Sequence, residues 1–336
     1  MIEALVCIEP QKLRLETRPS LKIGPTQVLV RPRRIGICGT DYHIFEGKHP
    51  YLQYPRIMGH ELAVEVIAGP IGSPLREGQI FALNPYISCG HCVACRRDKP
   101  NCCAQLSVIG VHQDGGMATE LVVPQANLIP ADGLTLDQMA TVEFLAIGAH
   151  AVRRAAVTSL DHVLVVGAGP IGLGAALFAS LSGATVAVVD AQEDRAQVVA
   201  SIANATPLHA EHLETSMHKI TSGEGFDVVF DATGNSRAME RGFDYAAHGG
   251  RYVLVSVVKD AIRFMDPDFH MKELTLFGSR NATAADFERV VAAIREGSIP
   301  VDRLITHRTT LQGAVADIPR WAENRSSLIK ALIEID

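Results

Sequence analysis

The sequence predicts two unlike domains, one β-rich with antiparallel strands and one α/β with a parallel sheet. Three observations carry this. Up to about Ile129, short β-prone runs such as 27–32 and 62–70 are separated by Gly and Pro punctuation. After His162 the texture changes, and apolar runs at 163–166, 186–190, 228–231, 251–255 and 275–278 alternate with helix-like stretches, the pattern of βαβ units. No period of solenoid length recurs, and 336 residues correspond to about two domains at ~100–200 residues each.

Between these regions a helical pattern begins at Thr135, with Asp137 in its first turn, and carries Glu143 and His150. A second helix is expected from Ala284, capped by Thr283, to Glu296, with Gly297 ending it. The last forty residues form a small return segment.

Composition removes several function classes. The 31 basic and 37 acidic residues give a net charge of −6 with no basic block to neutralise a row of phosphates, so nucleic acid is not an expected partner. The segment 162–189 has no Asp, Glu, Lys or Arg and is long enough to span a bilayer. Its five glycines and two Val-rich ends read instead as buried strands flanking a small-residue helix, so no membrane span is expected. The amino terminus lacks the features of a secretory or transit peptide, which makes a cytoplasmic location the expectation. Five of the seven cysteines fall in a 15-residue window, a clustering that points to metal before disulfides.

The run Val163-Leu164-Val165-Val166-Gly167-Ala168-Gly169-Pro170-Ile171-Gly172 is a strand followed by G-x-G-x-x-G and a helix-compatible stretch. Gly167 suits the tight turn, Gly169 the approach of backbone N–H groups to a pyrophosphate, and Gly172 close packing of helix on strand. Pro170 and Ile171 open the helix. Asp190 stands at the distance where an acid binds the adenosine ribose, so NAD is expected over NADP: its carboxylate repels a 2′-phosphate, although Arg195 is within reach of one.

Two groups suggest metal. Cys89, Cys92, Cys95 and Cys103 are spaced C-x2-C-x2-C-x7-C, a strong signal for a structural zinc held by four thiolates, with Cys102 competing for the fourth place. An iron–sulfur cluster or redox-active thiols are the alternatives. The second group comprises Cys38, His60 and an acid, Glu61 or Glu143, which would leave zinc an open position, as a Lewis-acid site requires.

In this order and along essentially the whole chain, Cys38-Gly39-Thr40-Asp41-Tyr42-His43, Gly59-His60-Glu61, the four-cysteine loop, Val142-Glu143 and the glycine fingerprint resemble the zinc-dependent medium-chain alcohol and polyol dehydrogenases. The resemblance implies a GroES-like catalytic domain over 1–148, completed by 285–336, and a six-stranded, doubly wound Rossmann domain over 149–284, with the active site in the cleft between them. It implies catalytic zinc on Cys38, His60 and either Glu61 or Glu143, a proton path from substrate through Thr40 to His43, Asp41 orienting His60, and hydride transfer to NAD. Phe144 departs from the proline that usually follows the glutamate in polyol-type members. Homodimers or homotetramers are implied as well.

The segments 108–116, 150–154 and 278–283 resemble the subgroup that oxidises sugar acids such as L-galactonate or L-gulonate at C5. Arg280 and Asn281 are then substrate-binding candidates, because a guanidinium suits a carboxylate or several hydroxyls. His112 reads as a satisfied loop histidine. A threonine or simple alcohol dehydrogenase, and a non-catalytic NAD-binding sensor, are the rival readings.

Overall fold

The computed structural model describes residues 1–49 and 52–336. The chain divides into two compact units, Met1–Glu143 with Thr283–Asp336, and Phe144–Ala282.

In the first unit a seven-stranded sheet runs in the order Leu128–Pro130, Ile80–Leu83, Glu61–Ala68, Gln27–Ile37, Lys330–Glu334, Ile305–Thr310, with Leu121–Pro124 also paired to Gln27–Ile37. The expected strand at 27–32 continues to Ile37, because register shifts at Leu29/Val30 and Pro32/Arg34 let it pass its proline. The extension matters for the site: it brings Gly36 opposite Glu61, and Ile37 opposite Ala331. The core beneath is a contiguous apolar cluster that includes Val30, Ile35, Tyr42, Leu62, Val64, Met117, Trp321 and Ile333. The return segment therefore completes the first unit by contributing two strands to its main sheet.

In the second unit a six-stranded, all-parallel sheet runs Thr206–Leu208, Thr185–Val189, His162–Val166, Phe226–Asp231, Ala246–Leu254, Thr275–Gly278. The order reverses beside His162–Val166, the switch point at which open α/β sheets bind ligands. Val163, Leu164 and Val165 are fully buried there, which accounts for the uncharged run. The segment 162–189 folds as strand, helix Pro170–Leu181 and strand, and among the described residues no helix is long and apolar enough to cross a membrane.

The expected helix from Thr135 is two helices, Leu136–Ala140 and Val142–Arg154, meeting at Thr141. Thr135 and Gln138 form a capping box for the first, and Glu143 sits in the first turn of the second. Ala284–Arg295 starts at a Thr283–Asp286 capping box and ends before Gly297.

Candidate active site

The helix Gly39–Phe45 carries one part of the constellation of Cys38, His60 and an acid, and Cys38 is its N-cap residue. Asp41, fully buried, accepts from the backbone N–H of Cys38 at 2.8 Å through Oδ2 and from that of Gly59 at 3.2 Å through Oδ1. One carboxylate thereby ties the loop bearing Cys38 to the loop bearing His60. The His60 ring comes no closer than 3.7 Å, Nδ1 to Oδ1, so Asp41 acts on the two backbones and makes no hydrogen bond to the imidazole.

Cys38 Sγ, a ring nitrogen of His60 and a carboxylate oxygen of Glu61 all lie within 4.8 Å of one another. One thiolate, one imidazole and one carboxylate are a donor set that suits zinc and leaves a coordination position over. Thr40 Oγ1 is 3.9 Å from Cys38 Sγ, and His43 lies one helical turn on, exposed to solvent.

The two candidate acids have different surroundings. Glu61 is fully buried, and its oxygens are 2.8 and 2.7 Å from the ammonium of Lys330, itself fully buried. Burial works against that ammonium, and Glu61, Cys38 and Glu143 outweigh it, holding Lys330 above the ordinary lysine value. Glu143 is also buried and receives a hydrogen bond from the Tyr86 hydroxyl. Burial pushes its carboxyl up to about 7; His60 pulls it down while Glu61 adds to the rise.

Lys330 and Tyr86 are the residues that sequence reasoning missed. Tyr86 is held by its N–H on Asn84 Oδ1 at 3.0 Å and its carbonyl on Asn127 Nδ2 at 3.1 Å, and its ring meets Phe287 edge-on at 6.2 Å. Neither residue belongs to a motif. The one available hint was a lysine opening a strand ahead of three apolar residues.

The four thiols of Cys89, Cys92, Cys95 and Cys103 also lie within 4.8 Å of one another. Cys103 accepts backbone N–H bonds from Cys89 at 3.2 Å and Gln105 at 3.3 Å, and backbone N–H groups of Cys95 and Ala104 pull Cys92 down to about 6. Such donors favour thiolate, the form that binds metal. Of the two competing residues, Cys103 joins the cluster and Cys102 is exposed outside it.

In the second unit the glycine turn has the shape a dinucleotide needs. Gly167 has φ +100°, and a Cβ at Gly172 would run into the Gly167 carbonyl oxygen. At Gly169 the space a Cβ would take is open, so a ligand's backbone-facing atoms can approach. Pro170 and Ile171, half-buried, start the helix Pro170–Leu181. Asp190 follows strand Thr185–Val189, its Oδ2 accepting from Ala168 N–H at 2.7 Å and its Oδ1 from Gln192 N–H at 2.8 Å; each oxygen keeps acceptor capacity for a ribose hydroxyl. Arg195 lies half-buried in helix Glu193–Ala203.

The segments 150–154 and 278–283 meet in this unit. Arg154 Nε donates to the Gly278 carbonyl at 2.7 Å and its guanidinium lies 5.3 Å from the Phe277 ring centre. Beyond that pinned carbonyl Arg280 is exposed, and Asn281 has φ +52° with a buried Nδ2 that lacks a partner. His112 receives a hydrogen bond from Val108 N–H at 3.0 Å on its Nδ1, as expected of a loop histidine.

The fold and sequence were compared with those of known proteins. The model of the alcohol dehydrogenase GroES-like domain matches residues 24–133, and that of the zinc-binding dehydrogenase matches residues 170–296. The chain is 42% identical to L-galactonate-5-dehydrogenase of Escherichia coli K12, covering 99% of this chain and 98% of that protein. Among solved structures, the E. coli CFT073 alcohol dehydrogenase rspB, complexed with NADH, superposes with a TM-score of 0.92 at 28% identity over 99% of both chains. L-Idonate 5-dehydrogenase of E. coli K-12 superposes with a TM-score of 0.91 at 25% identity, covering 99% of this chain and 98% of that one.

Proposed function

The chain belongs to the zinc-dependent medium-chain alcohol and polyol dehydrogenase family, and from that premise we propose that it oxidises a secondary hydroxyl of a sugar acid of the L-galactonate or L-gulonate type with NAD. The observation that carries the chemistry is the convergence of Cys38, His60 and Glu61 with Thr40 beside the thiol. Cys38, His60 and Glu61 would hold the catalytic zinc, with Glu143 engaged instead by the Tyr86 hydroxyl, and Cys89, Cys92, Cys95 and Cys103 would hold the structural zinc. When bound, zinc supplies Lewis acidity and NAD supplies the hydride acceptor.

The chain's own residues do the rest. Thr40 takes the hydroxyl proton and exposed His43 hands it to solvent. Gly167, Gly169, Pro170, Ile171 and Gly172 receive the pyrophosphate at a helix N-terminus, and Asp190 binds the ribose hydroxyls, with Arg195 nearby on the next helix. Arg280 and Asn281 bind the sugar acid, the arginine meeting its carboxylate. Strand Thr275–Gly278 ends its sheet with Thr275 and Leu276 exposed, a free edge that suits pairing with a second copy in a homodimer or a homotetramer.

The test is NAD reduction on L-galactonate, L-gulonate, D-sorbitol, L-threonine and a simple secondary alcohol, with metal content measured on the same sample. Turnover of a hexonate by zinc-loaded protein is expected, and Arg280→Ala should weaken it far more than turnover of sorbitol. Preference for threonine or the simple alcohol overturns the substrate class. Binding of NAD with no turnover makes the chain a sensor.

A further inference from the structure

Besides Thr40, the helix Gly39–Phe45 carries Tyr42 and His43, and its C-cap is Glu46. Tyr42 and Glu46 are four residues apart and share one face of the helix, with His43 beside them. The return segment lays Arg325 across that face. Its guanidinium is 4.4 Å from the centre of the buried Tyr42 ring and pairs with Glu46 Oε1, while the Lys48 ammonium reaches Glu46 Oε2 at 2.9 Å. Both oxygens of that carboxylate are thus engaged by cations. Arg325 is the better fixed of the two, with a ring beneath it and 30% of its side chain exposed against 68% for Lys48.

Glu46 matters because His43, three residues earlier, is the group that hands the proton to solvent. A free carboxylate at that place would hold an imidazolium, and an imidazole already protonated accepts nothing from Thr40. We propose that Arg325 is a positioning residue for the proton path: seated on Tyr42, it occupies Glu46 and keeps that carboxylate from capturing His43. The inference rests on the Thr40–His43 reading above. The charged groups acting on His43 are Glu46 and Lys48 from its own segment and Arg325 from the return segment, and their balance agrees with the geometry. Partial burial lowers the imidazole below its ordinary value; Glu46 works against this, and Arg325 and Lys48 add to it.

The test follows His43 itself. Its titration is recorded by NMR of zinc-loaded protein carrying 13C-labelled histidine, the signal being assigned by its loss in His43→Gln, and the acid limb of kcat/KM for L-galactonate is measured beside it. The NMR arm needs no substrate. Arg325→Met keeps an apolar stem on Tyr42 and loses the charge; the His43 midpoint should rise by about one pH unit and the acid limb should move up with it. Arg325→Lys should restore the wild-type midpoint, and adding Glu46→Gln to Arg325→Met should cancel the rise. If Arg325→Met does not fold, Glu46→Gln alone decides, with a lowered midpoint expected. A folded Arg325→Met or Glu46→Gln variant whose His43 titrates as in wild type overturns the proposal. A midpoint that moves while the acid limb stays overturns the relay reading instead, and leaves Arg325 as the group that occupies Glu46.

Discussion

Glu143 offers a quantitative test of the electrostatics in the first unit. Its carboxyl is raised from 4.5 to about 7 in the folded chain, chiefly by burial. The folded state thus binds this proton more tightly than the unfolded state, so stability falls as pH rises. The contribution is fully present below the ordinary carboxylate value and is lost as pH passes about 7. At about 1.36 kcal/mol per unit, the shift corresponds to roughly 3 kcal/mol. Glu143→Gln keeps an acceptor for the Tyr86 hydroxyl and removes the titration. The assay is urea unfolding of chelator-treated protein at pH 5 and pH 8, followed by Trp321, the chain's single tryptophan, which is buried in the core of the same unit. Wild type should lose up to about 3 kcal/mol more than the variant between these two pH values. Titrating groups remote from Glu143 cancel in the difference, whereas the titration of His60, which the Glu143 charge raises, enters it. Parallel pH profiles would refute the reasoning.

Three further outcomes separate positions that look alike in sequence. Gly172→Ala should abolish or severely lower soluble folded protein, because its Cβ meets the Gly167 carbonyl, whereas Gly169→Ala should keep the wild-type melting temperature and weaken NADH binding measured by fluorescence titration. Cys103→Ser should lose one equivalent of zinc by elemental analysis, and Cys102→Ser should retain it. Asp190→Ala should raise the KM for NAD by about ten- to a hundredfold, as loss of charged hydrogen bonds of about 1.5–3 kcal/mol implies; an unchanged value would remove Asp190 from the ribose site.

What the sequence disclosed depended on whether the physical cause lay close along the chain. The glycine turn and the four-cysteine loop are both local, since a strand, a tight turn and a helix, or four thiols within 15 residues, need no distant partner to acquire their meaning. Strand Thr206–Leu208 escaped notice because three residues around Pro207 carry no periodicity, and an edge position is where a sheet tolerates proline. Pro32 misled in the opposite direction: the residues after it remain strand because the register shifts there. The choice between Glu61 and Glu143 was illegible for a deeper reason. What distinguishes them is a lysine 269 residues away from one, delivered by strand register, and a tyrosine 57 residues away from the other, delivered by a separate two-residue strand. A buried carboxylate is defined by its counter-group, and a sheet that joins the two ends of the chain supplies it from where no local pattern can point. By the same reasoning Asp41, read as a partner of the His60 imidazole, spends its hydrogen bonds on two backbone N–H groups. The spacing located the acid correctly beside the histidine, but which atoms it satisfies depends on how two loops meet, and the loops meet through the carboxylate itself.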